Sequence, residues 1–148
     1  MGTGTRASKC QDPRVACDDM PVIAARDREL ESLAETLERA WSRQTSADPE
    51  HWTPENPAWG QCAITALVIQ DEFGGELLRA TVEDMSHYWN RLPDGAEMDL
   101  TRHQFPEGAA YGPTVVKDRE YVLSFPETAS RYLLLRRQLG SDGMRGTG

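Results

Sequence analysis

The chain has 148 residues, of which 39% are hydrophobic and 27% charged, proportions that fit one soluble globular domain. Lys and Arg total 16 against 24 Asp and Glu, a formal net charge of -8, so no broad basic surface is available and nucleic acid is not an expected partner. The longest strongly apolar run, residues 63–69, is far shorter than the roughly 20 residues that cross a bilayer. Since the start also lacks an apolar signal core, we expect a cytoplasmic protein without a membrane partner.

The N-terminal region divides into an irregular segment and a helix. Residues 1–25 show no hydrophobic period, and we expect a mobile leader there. From residue 28 to about residue 42, apolar side chains recur at helical spacing between charged ones, which predicts an amphipathic helix. The apolar positions are Leu30, Leu33, Leu37 and Trp41. We assign a single domain to residues 26–140 and a flexible tail to residues 141–148.

A proline-rich loop and a buried helix follow. Residues 45–60 contain three prolines with Trp52 and Trp59, too much proline for a helix, and we expect this long loop to pack onto the domain. Residues 62–72 are apolar nearly all round, which predicts a short helix inside the domain. The pair Gly74 and Gly75 ends it.

The remainder predicts strands and a last helix. Strand-like runs occur at residues 76–82, 86–92 and 96–101, and a second hairpin is expected from residues 114–116 and 121–125. A final helix is expected over residues 127–139, ending at Gly140. The order of elements predicts an α+β fold in which a helix carrying a cysteine packs on a small, mainly antiparallel sheet.

Cys62 is the candidate nucleophile. It opens the buried helix, where unpaired backbone N–H groups and the helix dipole favour a thiolate. The other cysteines, Cys10 and Cys17, lie in the expected leader without the spacing of a redox pair. A nucleophilic cysteine needs a base within hydrogen-bond reach, and the base needs a group that orients it.

Turn chemistry selects His87 as that base. Residues 93–95 (PDG) fit a three-residue hairpin loop, which pairs residue 92 with 96, 89 with 99 and 87 with 101. His87 and Asp99 then become diagonal neighbours on one face, about 7 Å apart at the backbone. The opposite face carries Tyr88, Leu92, Met98 and Leu100 and is the better core face, and Asn90 on it is expected to form a structural hydrogen bond. The sequence therefore predicts a Cys62, His87 and Asp99 triad.

The sequence offers several candidates for the residues that would support the triad. An oxyanion hole needs the Cys62 N–H and a second donor, and the candidates for that donor or for substrate contact are Gln61, Gln44, Trp52 and Trp59. Trp89, beside Asp99, could shield the His87–Asp99 pair from water or simply pack. Residues 102–104 are expected to border a cleft.

The residues around the triad resemble a known family. Residues 60–71 (GQCAITALVIQD), the glycine pair, residues 86–90 (SHYWN) and residues 99–105 (DLTRHQF) are similar to the bacterial YunG-like family. More broadly, a Cys that opens a helix, a His on a strand and an Asp near the next strand resemble the core of transglutaminase-like and other papain-fold cysteine enzymes. That resemblance implies the same triad and a papain-like or transglutaminase-like core. The chain is short and shows no substrate-recognition insert.

Three functions are compared. The first is acyl transfer: Cys62 attacks a small-molecule or peptide acyl donor, and water or an amine is the acceptor. The second is a binding module that uses the tryptophans of residues 45–60 to hold a ligand or partner. The third, a metal site built from the triad with His51 or His103, has spacings unlike those of a structural zinc site. No cofactor motif is present in the sequence, so no cofactor is expected.

Overall fold

The structure, a computed structural model, describes the backbone of residues 13–147 and the side chains of residues 25–140. The chain divides into two compact units, Met1–Glu35 and Thr36–Gly148. The first unit is described from Pro13 onward and is helical, and its helix, α1 (Pro13–Ala40), continues into the second unit. The helix begins inside the segment expected to be a leader, 15 residues before the start that periodicity indicates, with proline at a position that a first helical turn tolerates. Residues 1–12, including Cys10, lie outside the described residues.

The second unit is an α+β fold. Its further helices are α2 (Cys62–Phe73), α3 (Arg119–Leu123) and α4 (Pro126–Thr147), with a short 3-10 helix at Arg102–Gln104. Its strands are β1 (Glu76–Val82), β2 (Met85–Arg91), β3 (Glu97–Met98) and β4 (Val115–Lys117). They form one four-stranded sheet in the order β3-β2-β1-β4, and every pairing is antiparallel. The predicted fold class, with a cysteine-bearing helix on a small antiparallel sheet, is confirmed at this level.

Both faces of the sheet are covered. On one face, Leu77 of β1 packs with Ala66 and Leu67 of α2, and Tyr88 borders this cluster. On the other face, Leu78 and Ala80 pack with Trp89 and Tyr111. The expectation of a single core face is therefore incomplete: the Tyr88 face packs on α2 as predicted, but the opposite face is buried as well.

The turn between β2 and β3 has the predicted register. Asn90 pairs with Met98 and Arg91 with Glu97, and the Leu92 N–H donates to the Ala96 carbonyl at 2.7 Å. The strand ends sooner than predicted, because the chain turns at Asp99, whose carbonyl accepts from the Arg102 N–H at 3.4 Å. The predicted ladder pairs beyond residue 98 are therefore not formed.

Two predictions in the C-terminal part are wrong. Residues 121–125 do not form a hairpin strand, because residues 119–123 form α3, which buries Val122 in the core beside α2. β4 instead pairs with β1. The final helix also continues beyond Gly140 to Thr147, and Gly140 is not among the glycines with positive φ, so it does not end the helix.

Candidate active site

Cys62 occupies the first position of α2 with a free, partly exposed thiol. Its Sγ lies 3.9 Å from the Ser86 carbonyl oxygen at the start of β2. The preceding residue, Gln61, provides no side-chain cap for the helix, so the first backbone N–H groups are left for other partners. This end of α2 suits a negatively charged sulfur.

His87 and Asp99 form the predicted hydrogen bond. His87 Nε2 lies 2.7 Å from Asp99 Oδ2, and the histidine side chain is completely buried whereas the carboxylate is 13% exposed. With Nε2 engaged, Nδ1 is the other ring nitrogen, and it has no hydrogen-bond partner among the described residues. Burial of the ring opposes protonation, but the Asp99 hydrogen bond and the neighbouring Cys62 thiol outweigh it and raise the pKa of His87 from 6.5 to about 9. The structure therefore brings Cys62, His87 and Asp99 together.

Three aromatic rings surround the His87 imidazole. Trp89 stacks on it with ring centroids 5.7 Å apart, and Phe105 and Tyr111 meet it edge-on at 4.9 and 5.4 Å. The Trp89 indole N–H also donates to Glu97 at 2.9 Å, which holds the ring in place. Trp89 therefore has both of the contacts considered from the sequence: it packs in the core and it covers one face of His87.

Tyr111 is a site residue that the sequence reasoning missed. Its hydroxyl donates to Asp99 Oδ2, the same oxygen that is hydrogen-bonded to His87 Nε2. Burial and the Asp99 hydrogen bond raise the pKa of the Tyr111 hydroxyl above its ordinary value, so the group stays a donor. A single bridge to Val82 of β1 and the neighbouring Gly112 N–H, 2.9 Å from the Thr81 carbonyl, position this loop. No local sequence pattern indicates Tyr111 as a site residue, because its contact with Asp99 joins two segments that are separate in the sequence.

The thiol opens into a small cavity of about 270 Å³. Cys62 and Trp59 line it together with Gln104, which the sequence places at a cleft border, and Arg131 of α4. A larger cavity of about 680 Å³ is lined by residues from Arg102 to Tyr111 and has no cysteine in its lining. Cys62 therefore lies at the smaller of these two cavities.

The four candidate oxyanion or substrate residues are placed differently. Gln61 is fully buried, and its amide donates to the Ser42 carbonyl at 3.0 Å while accepting from Thr45 at 2.8 Å. That arrangement supports the turn after α1 and does not fit the expected oxyanion role. Gln44 is exposed on the surface.

The two tryptophans of the loop also differ. Trp52 donates its indole N–H to the Pro57 carbonyl at 3.0 Å, within its own loop. Trp59 donates to Asp48 at 3.1 Å and lines the cavity beside Cys62. Gly60 follows with φ +75°, and a Cβ there would lie 2.3 Å from Ser46 Oγ, so this approach to Cys62 requires glycine.

Asn90 and the remaining histidines serve elsewhere. Asn90 points to the core and donates to the Ala66 carbonyl of α2 at 2.9 Å, as predicted. His51 pairs with Asp48 at 2.9 Å on the surface, and the His103 ring lies 6.2 Å from Trp41.

Among the residues that the structure describes, no group of three His, Cys, Asp or Glu side chains is arranged to hold a metal ion. None of the helices searched in the same part of the chain is both long and apolar enough to span a bilayer.

Comparison with known proteins defines the family. A family model described as YunG protein matches residues 29–142. The protein described as "Uncharacterized protein YunG" from Bacillus subtilis (strain 168) is 39% identical over 82 residues, which cover 55% of this chain and 68% of that relative. No solved structure matches the chain significantly. Because the family model spans well over half of the sequence, the chain belongs to the YunG family.

Proposed function

We propose that the protein is a cysteine-dependent acyl-transfer enzyme, with Cys62 as nucleophile, His87 as acid and base, and Asp99 as the group that orients His87. The observation that carries the proposal is the 2.7 Å bond from buried His87 Nε2 to Asp99. This bond engages Nε2 and leaves Nδ1 without a partner among the described residues, and the nearby Cys62 thiol contributes to the raised pKa of the same ring. An oriented base beside a cysteine at a helix N-terminus is the arrangement that nucleophilic catalysis requires.

The raised pKa of His87, about 9, favours an imidazolium at neutral pH. In the proposed mechanism the nucleophile is the Cys62 thiolate, because a thiolate and not a thiol attacks a carbonyl. Attack of the thiolate on an amide, ester or thioester carbonyl forms a C–S bond and moves an electron pair onto the oxygen. When this pair returns, the bond to the leaving group breaks and His87 supplies its proton. Neutral His87 then takes a proton from water or an amine, whose attack on the thioester breaks the C–S bond and restores the thiolate. Water gives hydrolysis, and an amine gives amide formation.

We also propose a transglutaminase-like or papain-like core. The support is the order of the parts: Cys62 opens α2, His87 lies on β2, and Asp99 directly follows β3. In this proposal the acyl donor is a small molecule or peptide, and no cofactor takes part.

Alkylation by iodoacetamide, followed by peptide mass mapping, tests the activated thiol without a known substrate. We expect Cys62 to react at about pH 6 at least tenfold faster than the same cysteine in the urea-unfolded protein, because an ordinary thiol of pKa about 8.5 is almost fully protonated there. The variant His87→Ala should lose this reaction at acid pH. Equal rates for folded and unfolded protein, or an unchanged pH profile in His87→Ala, would contradict the mechanism.

Turnover provides the second test. With an ester such as p-nitrophenyl acetate, Cys62→Ala and His87→Ala should each abolish acyl transfer. Asp99→Asn should retain some activity, because it disturbs the tautomer and orientation of His87 without deleting the nucleophile. An Asp99→Asn variant with wild-type activity would contradict the orienting role.

A binding module is the second candidate function, and one contact favours it: Trp59 lines the cavity beside Cys62. Such a module would have a Cys62 of ordinary reactivity and no acyl adduct. Trp59→Ala would then weaken ligand retention while Cys62→Ala would not, whereas the enzyme hypothesis predicts loss of acyl transfer in Cys62→Ala.

A further inference from the structure

We propose that the side-chain amide of Gln104 is the second donor of the oxyanion hole, acting with the backbone N–H of Cys62. The inference rests on the proposed acyl transfer and adds a catalytic residue to it. Gln104 is the last residue of the 3-10 helix Arg102–Gln104 and is 5% exposed. It lines the same cavity as Cys62.

Two hydrogen bonds fix the orientation of Gln104. The Gly60 backbone N–H donates to the side-chain oxygen Oε1 of Gln104 at 3.1 Å, and the Asn56 side-chain amide donates to the backbone carbonyl of Gln104 at 3.3 Å. A backbone N–H can bond only to the oxygen of a side-chain amide, so the Gly60 contact decides which end is oxygen and which is nitrogen. The same contact joins Gln104 to the segment that leads directly into Cys62.

The nitrogen of this amide lacks an acceptor. Gln104 Nε2 is buried and has no hydrogen-bond partner in the part of the chain that the structure describes. Buried polar groups without partners are unfavourable and uncommon in folded proteins, so such a donor indicates an acceptor that arrives from outside the chain. In a cavity shared with a nucleophilic thiol, the carbonyl oxygen of an acyl group is an acceptor of the right chemistry.

The backbone N–H of Cys62 supplies the other donor. As the first residue of α2, Cys62 has an N–H without an intrahelical partner. When sulfur adds to the carbonyl carbon, the electron pair that moves to the oxygen would be stabilised by this N–H and by Gln104 Nε2 together. When the pair returns, the leaving group departs and the oxygen becomes a carbonyl again.

Comparing two reactions of Cys62 tests the proposal. Acylation by p-nitrophenyl acetate passes through an oxyanion and releases p-nitrophenolate, which absorbs light. Alkylation by iodoacetamide displaces iodide at a saturated carbon and forms no oxyanion. An oxyanion donor therefore affects the first rate and not the second.

The sharpest variant is Gln104→Glu, which keeps an oxygen for the Gly60 N–H and removes the donor. Gln104→Ala removes both, and Gln138→Glu makes the same change at an exposed site on α4. We expect both Gln104 variants to acylate about 100-fold more slowly than wild type. Gln104→Ala adds no charge beside the thiol, and its alkylation should stay within about twofold of the wild-type rate. Gln138→Glu should match wild type in both reactions.

Acylation of Gln104→Glu at the wild-type rate would overturn the role of Gln104 and leave the acyl-transfer function standing. A parallel loss of acylation and alkylation in Gln104→Ala would also overturn it, because it would show that Gln104 only supports the fold around Cys62. If wild-type protein forms no acetyl adduct on Cys62 by intact-mass measurement, the proposed function itself fails, and the role of Gln104 fails with it.

Discussion

Burial and hydrogen bonding act on His87 in opposite directions. A fully buried imidazole favours its neutral form, yet the Asp99 carboxylate at 2.7 Å and the Cys62 thiol raise its pKa to about 9. His87 is therefore protonated at neutral pH inside a shell of aromatic rings. Tyr111 donates to the same Asp99 oxygen, which positions that carboxylate from a second side.

This shift predicts a dependence of stability on pH. Below about pH 6.5, His87 is protonated in both folded and unfolded protein, so the stabilisation from its ion pair is fully present. As the pH rises from 6.5 through about 9, the folded imidazolium loses its proton and the stabilisation is lost. We expect the difference in free energy of unfolding between wild type and Asp99→Asn to shrink over that range, measured by urea denaturation.

His51 is present in both proteins of this comparison, so its own titration cancels in the difference. Nuclear magnetic resonance of labelled histidine rings provides the direct reading, with a His87 midpoint near 9 in wild type. A midpoint at or below 6.5, or a difference that grows with pH, would contradict the assigned ion pair.

At the scale of elements, the turn from α2 into β1 holds the cysteine helix against the sheet. Gly75 has φ +89°, and a Cβ there would lie 2.1 Å from the Arg91 carbonyl oxygen. Gly95, in the hairpin loop, has φ +95° but no atom within 4 Å of the same position. The two glycines therefore share an unusual backbone and differ in steric contact.

We expect Gly75→Ala to lower the free energy of unfolding by about 4 kcal/mol, since it combines backbone strain with a clash against backbone atoms. Gly95→Ala should cost about 1–2 kcal/mol from strain alone. Urea denaturation of both variants checks the comparison. Equal losses in the free energy of unfolding would show that the close approach of β2 to Gly75 does not add to the cost of an alanine there.

At the scale of the molecule, Arg119 joins three helices of the second unit. Its guanidinium lies 2.7 Å from Asp71 of α2 and donates to Tyr132 of α4 at 2.9 Å, while α3 begins at Arg119 itself. Arg91 provides a contrast, because its 2.8 Å pair with Glu76 is more exposed. Disrupting a partly buried network of ion pairs and hydrogen bonds lowers the free energy of unfolding more than disrupting an exposed ion pair does.

We expect Arg119→Met to lower the free energy of unfolding by about 1–2 kcal/mol, with unchanged alkylation of Cys62. Arg91→Met should change it by less than about 0.5 kcal/mol. Thermal or urea unfolding at low salt measures both. A loss in Arg91→Met as large as in Arg119→Met would contradict the role given to the three-helix network.

Local signals predicted much of the region around the triad. The apolar run between Cys62 and the glycine pair marks α2, and alternation marks β1 and β2 to within one residue. The hairpin loop determines the register that brings His87 to Asp99, because loop length and glycine placement are properties of a few adjacent residues.

Other features of the fold and the site follow only from the tertiary structure. Residues 119–123 carry strand-like side chains but form a helix that buries Val122 beside α2, because tertiary packing overrides local propensity. Tyr111 is positioned by its hydrogen bond to Asp99, which is 12 residues away in the sequence. Gln104 is positioned by its hydrogen bond with Gly60, which is 44 residues away. The cysteine helix, the hairpin register and the pairing of His87 with Asp99 are therefore predictable from local sequence. The distant side chains that complete the site become visible only in the folded chain, because burial and long-range hydrogen bonds leave no local pattern.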